Sequence, residues 1–342
     1  MKRILFVEDS DLLREVYGAM LAIERDSWEV KLTSNGEAAL GLMKQFPFDV
    51  VASDMHMPGM DGIELLNEVG RLYPQTARII ISGMGNQGVV ANALGSTHLF
   101  LIKPVELKTL RATLVRINGL DAYLKDEKLK ELAGRLGTLP SFPSLYLEII
   151  QAIESPNSTL KDIANLITKD PGITAKMLQV VNSTAFGLPD RIHDPVAAFQ
   201  QLGMNTIRSL VLSSHVFAHL KSSSLKNFSA DALWSHLMKC GCSARAIMRA
   251  EDADLMDVED AFTAGILHDM GKLMLAESLP DEFEKALALA AERQVPLFEV
   301  EMEIFGATHA GLAAYLLGLW GLPAPIVEAV AFHHTPEKST NP

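Results

Sequence analysis

Five short runs of apolar residues recur along the N-terminal third of the chain, separated by segments of helical periodicity. They span Arg3–Val7, Trp28–Leu32, Phe48–Ala52, Arg78–Ile81 and His98–Ile102. Strands that alternate with helices of roughly 10–15 residues are typical of βα units around a parallel sheet. The order therefore predicts an α/β fold for this part of the chain, with helices over Asp11–Arg25 and Gly36–Gln45.

Polar side chains stand where four of these runs end. They are Glu8, Asp9, Asp54, Ser82 and Lys103. Open α/β sheets bind ligands at the edge where the strands' carboxyl ends meet. Clustered carboxylates suit Mg²⁺, and an aspartate can act as a nucleophile that forms an aspartyl phosphate. Taken singly, the residues also have structural readings, with Asp9 as a helix N-cap, Asp54 in a turn and Lys103-Pro104 in a loop.

The motifs of this segment resemble those of a known family. Residues 1–120 are similar to the receiver domain of two-component response regulators, which has a flavodoxin-like (βα)5 fold. The acidic pair, the aspartate, the serine and the Lys-Pro pair match the family pattern at Glu8-Asp9, Asp54, Ser82 and Lys103-Pro104. The loop from Asp54 to Gly62 matches the family's loop after the phosphoacceptor.

This resemblance implies roles for individual residues. Asp54 is expected to be phosphorylated by a histidine kinase or a phosphotransfer protein. Mg²⁺ is expected to be held by Asp9, Asp54 and the main-chain carbonyl of His56, with Glu8 acting through water. The phosphoryl-binding and switch positions correspond to Ser82, Lys103 and the aromatic Phe100.

Length and charge limit the remaining classes of function. A chain of 342 residues is long for one domain. The net charge of −12, with no basic stripe, argues against direct DNA binding as the output. No apolar run is long enough for a membrane span, and no signal peptide is evident, so we expect a cytoplasmic protein. Cys240 and Cys242 are not spaced as a C-x-x-C motif and are expected to be free thiols.

A helical linker is predicted over residues 121–137, after the receiver's last helix at Val105–Ile117. Its leucines fall on one face and are Leu124, Leu129, Leu132 and Leu136. An amphipathic helix of this kind either packs within its own chain or forms a homodimer that carries the signal. The Gly-Pro-containing stretch that follows, 137–143, breaks the chain.

The rest of the chain, residues 138–336, predicts an all-α domain. Apolar residues at i, i+3 and i+4 recur over Leu145–Ile153, Leu160–Thr168, Ile173–Ser183, Val196–Leu202 and Thr206–Leu220. Its candidate metal ligands are His236, His268, Asp269, His309, His333 and His334. Imidazole and carboxylate ligands from separate helices are how helical bundles build metal sites, and bimetal sites hydrolyse phosphoesters.

These residues resemble the HD superfamily of metal-dependent phosphohydrolases, and the segment resembles its HDOD branch in detail. The matching stretches are Leu139–Pro143, Lys169–Thr174, Val181–Ser183, Gln201–Gly203, Gly265–Lys272 and Trp320–Pro323. The resemblance implies a non-catalytic signalling and interaction module that binds a downstream protein. Two departures from the catalytic pattern favour that reading, because no aspartate follows His334 and Thr335–Lys338 stands in place of the Gly-Tyr-Pro motif.

Three functions from different classes follow. The first is a response regulator whose phosphorylated receiver controls a non-catalytic HDOD module. The second is a phosphorylation-gated phosphohydrolase with Fe, Mn or Zn at the HD-like residues. The third is a scaffold that senses a metal or a nucleotide without turnover.

Overall fold

The computed structural model describes residues 2–22, 28–83, 97–135, 158–169, 171–182, 191–202 and 227–340, together with residues 149, 152 and 225. The predicted helices over Leu145–Ile153 and Thr206–Leu220 lie almost wholly outside these residues, as do the Leu139–Pro143 motif and Leu136.

A five-stranded parallel sheet forms the N-terminal region, in the order β2-β1-β3-β4-β5. Its strands are β1 Lys2–Val7, β2 Trp28–Thr33, β3 Val50–Asp54, β4 Ala77–Ser82 and β5 Leu99–Ile102. The three central strands are buried runs of β-branched and other apolar residues, as a sheet covered on both faces requires. The predicted α/β, flavodoxin-like fold is confirmed.

Four helices accompany the sheet in the described residues. They are α1 Asp11–Ala22, α2 Gly36–Met43, α3 Gly62–Leu72 and α4 Leu107–Gly119. α3 begins with a capping box, in which the Asp61 side chain accepts from the Glu64 main chain and the Glu64 carboxylate accepts from the Asp61 main chain.

The linker is not the single helix that its leucine pattern predicts. A 3₁₀ turn at Leu120–Ala122 is followed by a separate helix, α5, over Glu127–Arg135. The break has a local cause, because Asp126 Oδ1 accepts a hydrogen bond from Leu129 N at 3.0 Å and so caps a new helix. Leu124 and Leu129 are buried within this chain, as the packed alternative for the linker requires.

The C-terminal region is helical throughout its described part. Its helices are α6 Leu160–Ile167, α7 Pro171–Val181, α8 Ala230–Ala250, α9 Leu255–Leu267, α10 Met270–Ser278, α11 Pro280–Arg293, α12 Leu297–Phe305, α13 His309–Leu319 and α14 Ala324–Phe332, with a helical stretch at 195–202 and a 3₁₀ turn at Pro336–Lys338. Thr159 and Asp162 begin α6, where they form a capping box. The all-α prediction for this region is confirmed.

Helix α13 connects the two regions. Each of its residues is buried. It packs against α10, α12 and α14 of the C-terminal region and against α4, the 3₁₀ turn and α5. One continuous apolar core runs from the sheet through this helix into the C-terminal bundle.

No single helix in the described residues has the length and apolar composition to cross a membrane. One pair, α12 with α13, has both when taken together, but the two helices are bent by 74°.

Candidate functional site

The carboxyl edge of the sheet brings the predicted receiver residues together. Asp54 is the last residue of β3, which extends two residues beyond the predicted strand end at Ala52. Lys103 follows β5, and its Nζ lies 2.8 Å from Asp54 Oδ2 and 2.7 Å from Glu8 Oε2. The carboxylates of Glu8, Asp9 and Asp54 offer oxygens within 4.8 Å of one another.

Burial sets the electrostatics of this edge. Glu8 is almost fully buried, and burial together with the nearby Asp54 raises the pKa of its carboxyl. Burial alone would lower the pKa of Lys103, but hydrogen bonds to Asp54 and Glu8 outweigh it and raise that pKa. Three carboxylates facing one ammonium leave an excess of negative oxygen donors, which fits the predicted Mg²⁺.

The remaining predicted receiver residues lie around this group. Ser82 ends β4, and its hydroxyl donates to Gly83 O at 3.2 Å. His56 lies two residues after Asp54 and its side chain is exposed. Phe100 lies in β5, while its side chain falls outside the described part. Asp9 is not the cap of α1, because Ser10 Oγ accepts from Leu13 N there.

The helical region has its own centre of charge at Asp269, between α9 and α10. All the predicted HD-like residues meet there, and we call them the Asp269 cluster. They are His236 in α8, His268 before Asp269, His309 at the start of α13, and His333 and His334 after α14. α10 and α13 approach closely at this point, since a Cβ on Gly271 would lie 2.0 Å from His309 O.

The two oxygens of Asp269 divide the cluster into halves. In the first half, the Nε2 atoms of His236 and His268 each lie 3.5 Å from Asp269 Oδ2 and 3.2 Å from each other. In the second half, Asp269 Oδ1 lies 3.0 Å from His309 Nε2 and 3.6 Å from His333 Nε2. His334 Nε2 lies 3.1 Å from His309 Nε2.

Three residues of the site were missed by sequence reasoning. Glu301 is fully buried on α12 and accepts from His309 at both the main-chain N, at 2.8 Å, and Nδ1, at 2.6 Å. Lys272 Nζ lies 2.6 Å from Asp269 Oδ2. Cys240 is a free thiol, as expected, but its sulfur lies within 4.8 Å of ring nitrogens of His236 and His268.

Burial and charge also shift the pKa values in the cluster. Burial lowers the pKa of His268 to about 4, and burial with the neighbouring His333 and His309 lowers that of His334 to about 4. Burial opposes charge on Asp269, but His309, His333 and Lys272 hold the pKa of that carboxyl well below its usual range. At His309, hydrogen bonds to Asp269 and Glu301 outweigh burial and raise the pKa.

The donor set suits a transition metal. The Nδ1–H group of His309 donates a hydrogen bond to the Glu301 carboxylate. This arrangement directs the other ring nitrogen, Nε2, toward a metal. His268 and His333 use Nδ1 on main-chain carbonyls in the same way. The buried Nε2 of His333 makes no hydrogen bond with any described residue. Three imidazoles turned by second partners toward one carboxylate fit Fe, Mn or Zn.

A parallel sheet with clustered carboxylates at its carboxyl edge, joined to a helical region with an HD-like cluster, is the architecture of a two-part signalling protein. Family models match in both parts, a response regulator receiver domain at residues 4–115 and an HDOD domain at residues 139–336. The chain therefore belongs to the HDOD family and carries a receiver domain, which makes it a response regulator.

Individual proteins and solved structures are similar to parts of the chain. An uncharacterized protein of Treponema pallidum is 30% identical over 203 residues, 59% of this chain and 39% of that protein's length. The chemotaxis protein CheY of Thermotoga maritima is 31% identical over 107 residues, 31% of this chain and 88% of CheY. The crystal structure of the MmoQ response regulator from Methylococcus capsulatus is 28% identical, with a TM-score of 0.48, and the match covers 56% of this chain and 75% of MmoQ.

Proposed function

We propose that phosphorylation of Asp54 by a histidine kinase or phosphotransfer protein controls the HDOD region as a non-catalytic signalling module. The observation that carries this proposal is the position of α13. His309 at its first residue belongs to the Asp269 cluster, while its flank packs on the receiver's last helix and the linker. A change at the sheet edge therefore has a packed route into the HDOD region.

The proposed chemistry at the sheet edge begins with an Asp54 carboxylate oxygen. This oxygen attacks the phosphorus of the donor, and the donor's leaving oxygen or nitrogen departs with the bonding electrons. Lys103 pairs with the phosphoryl oxygens, and the Ser82 hydroxyl donates to one of them. Mg²⁺ would be held by Asp9, Asp54 and the His56 carbonyl, where it would neutralise phosphoryl charge.

In the unphosphorylated structure, Lys103 bridges Glu8 and Asp54. Phosphorylation of Asp54 changes these contacts of Lys103. Lys103 directly follows β5, and Leu99 of the same strand lies close to Gly321 just after α13. A shift of β5 would thus reach the end of α13 that lies opposite His309. We infer that this strand and helix carry the signal to a surface that binds a downstream signalling protein.

A labelling experiment tests the phosphorylation step. Wild-type protein is incubated with acetyl phosphate and Mg²⁺, beside Asp54→Asn and the control Asp11→Asn, whose carboxylate is exposed at the start of α1. We expect label in wild type and Asp11→Asn, and none in Asp54→Asn or without Mg²⁺. Labelling of Asp54→Asn equal to that of wild type would contradict the assignment of Asp54 as the phosphorylated residue.

A second experiment tests control of the HDOD region. Small-angle scattering is recorded with Mg²⁺, with and without beryllofluoride. We expect a change in interdomain distance or in oligomeric state, absent in Asp54→Asn. Superimposable profiles for wild type would contradict the proposed control.

One observation favours a metal-dependent phosphohydrolase as the second candidate. The carboxylate of Asp269 is shared by two groups of imidazoles, which is how a bridging ligand holds a metal pair. Hydrolysis of bis(p-nitrophenyl) phosphate by Mn²⁺- or Fe²⁺-loaded protein, lost in a His268→Ala, Asp269→Ala double variant, would select this function. Bound metal without hydrolysis would select a sensing scaffold.

A further inference from the structure

Cys240 lies beside the first half of the Asp269 cluster. It follows His236 by four residues on α8, so the two side chains share one face of the helix. Its sulfur lies 3.6 Å from His236 Nε2, and His268 completes the same group of donors. We propose that the Cys240 sulfur is the fourth ligand of a cation bound by this half. The proposal rests on metal binding at the cluster, which belongs to the second candidate under the proposed function.

Four of the six donor–donor distances in this half are close to those of one coordination polyhedron. In a tetrahedral zinc site, bonds of about 2.0–2.1 Å to nitrogen or oxygen and about 2.3 Å to sulfur place N and O donors about 3.3–3.4 Å apart. The same bonds place N and S about 3.5–3.6 Å apart. Here the imidazole nitrogens are 3.2 Å apart, each lies 3.5 Å from Asp269 Oδ2, and the sulfur lies 3.6 Å from one of them.

Two side chains adjust when the cation binds. The Cys240 sulfur is nearly as close to His236 Nδ1, at 3.7 Å, as to Nε2, so that ring must turn to present one lone pair. The His236 side chain is 51% exposed, which leaves room for the ring to rotate. Lys272 shares Asp269 Oδ2 with the cation or withdraws, since a carboxylate oxygen has two acceptor sites. The thiol proton passes to solvent as the S–metal bond forms.

The sulfur ligand decides which metal this half takes and what that metal does. Thiolate with two imidazoles and one carboxylate favours Zn²⁺ over Mn²⁺ or Mg²⁺. Four protein ligands also close the tetrahedron, whereas catalytic zinc sites keep one position open for water. The first half would then be a structural zinc site that fixes α8 against α9 and α10, while the second half keeps an all-nitrogen and oxygen donor set.

The chain supplies a matched control at Cys242. It lies two residues further along α8, about 200° around the helix, and is exposed. Neither a ligand role nor protection by the cluster is expected for it. The two thiols can therefore be compared within one protein.

The test uses full-length protein loaded with Co²⁺ alone, as wild type, Cys240→Ser and Cys242→Ser. We expect thiolate-to-cobalt charge-transfer absorption in wild type and Cys242→Ser and none in Cys240→Ser. Cobalt affinity should fall about tenfold or more in Cys240→Ser, at least the loss that follows removal of an outer-shell partner. In wild type, Zn²⁺ should block alkylation of Cys240 but not of Cys242, as mass spectrometry of the peptides would show.

The outcomes separate this inference from the proposed function. Charge-transfer absorption that persists in Cys240→Ser, or cobalt-loaded wild type without it, would overturn the sulfur ligand and leave the metal cluster standing. Wild type that binds no Co²⁺ would overturn both. Unchanged circular dichroism and unchanged Asp54 labelling in Cys240→Ser show that the variant is folded and that the receiver proposal is untouched.

Discussion

Gly311 lies against the main-chain carbonyl of Tyr123, so closely that a Cβ on Gly311 would be 2.5 Å from that oxygen. Tyr123 belongs to the segment that follows the receiver, and Gly311 lies in the first turn of the helix that begins at His309. The receiver's exit segment and the Asp269 cluster are therefore held together by main-chain contact, with no side chain between them.

Substitution of Gly311 by alanine should loosen this contact. A Cβ cannot fit without moving one main chain, and overpacking of this kind costs about 1–3 kcal/mol of folding free energy. We expect a lower urea midpoint for Gly311→Ala. Gly119→Ala is the control, because a Cβ there meets nothing within 4 Å, and it should leave the midpoint unchanged or raise it. Equal effects of the two substitutions would contradict the close contact.

Arg78 should anchor the linker helix to the sheet. It is buried in β4 and donates to the main-chain carbonyl of Gly134 in α5 at 2.7 Å. Burial lowers the pKa of Arg78 to about 10, so the side chain stays charged at neutral pH. Arg78→Met should lower the free energy of unfolding by about 1.5–3 kcal/mol, the contribution of a hydrogen bond from a charged group.

Arg71→Met is the control for Arg78, measured by the same urea denaturation. Arg71 is exposed and pairs with Glu68 at 2.8 Å on the surface of α3. Exposed ion pairs contribute about 0–1 kcal/mol. If Arg71→Met destabilises the protein as much as Arg78→Met, the anchoring role is wrong.

Glu301 should tune metal binding through His309. Its buried carboxylate fixes Nδ1 of His309 and so directs Nε2 toward Asp269. Loss of such an outer-shell partner typically weakens metal binding by roughly 10–100-fold. We expect that loss for Glu301→Gln in a chelator competition with Mn²⁺, which the thiolate-containing first half disfavours. Glu303→Gln, on the same helix but pairing with Arg293 at the surface, should bind normally. A matching loss in both variants would count against the role of Glu301.

The stability of the metal-free protein should fall in mildly acidic solution. The folded-state pKa of His268 is lowered from 6.5 to about 4, so the unfolded chain binds the proton first as pH falls. The contribution of neutral His268 to the free energy of unfolding is therefore fully present above pH 6.5. It is lost as pH falls toward 4, and the loss is at most about 3 kcal/mol. The lowered pKa of His334 acts in the same direction and window.

The other shifted groups of the cluster act outside that window. The raised pKa of His309 stabilises the fold fully below pH 6.5, and this contribution is lost as pH rises through the raised pKa. The lowered pKa of Asp269 stabilises the fold above the usual aspartate pKa of 3.8, so its contribution is lost only below that pH. Urea denaturation between pH 7.5 and pH 4 should therefore show a shallower slope for His268→Gln than for wild type. The exposed His56→Gln should keep the wild-type slope, and parallel curves for all three would refute the assignment.

The sequence predicted the sheet and both groups of site residues because their signals are local. Buried strands show as apolar runs, and ligands at strand or helix ends keep short motifs such as Lys103-Pro104 and His268-Asp269. The end of β3 was placed too early, because Asp54 looks like a turn residue although its main chain still pairs with β4. The linker helix was drawn too long because the leucine pattern continues through the Asp126 cap.

The residues that were missed depend on tertiary contacts or on chemistry that was discounted. Glu301 accepts its hydrogen bonds from His309 across the turn at Gly306, and the helical periodicity of the sequence does not predict that pairing. Cys240 did have a signal, since it lies four residues after His236 on a predicted helix. The spacing of Cys240 to Cys242, by contrast, matches no C-x-x-C metal or redox motif.

Hydrogen–deuterium exchange of α13 tests the central claim most directly, that Asp54 phosphorylation acts on the HDOD region. Full-length protein in Mg²⁺ is compared with and without beryllofluoride, beside Asp54→Asn. The account predicts that exchange in residues 309–319 changes with beryllofluoride in wild type and stays constant in Asp54→Asn. Changes confined to the sheet edge, with α13 exchanging identically in both states, would contradict it.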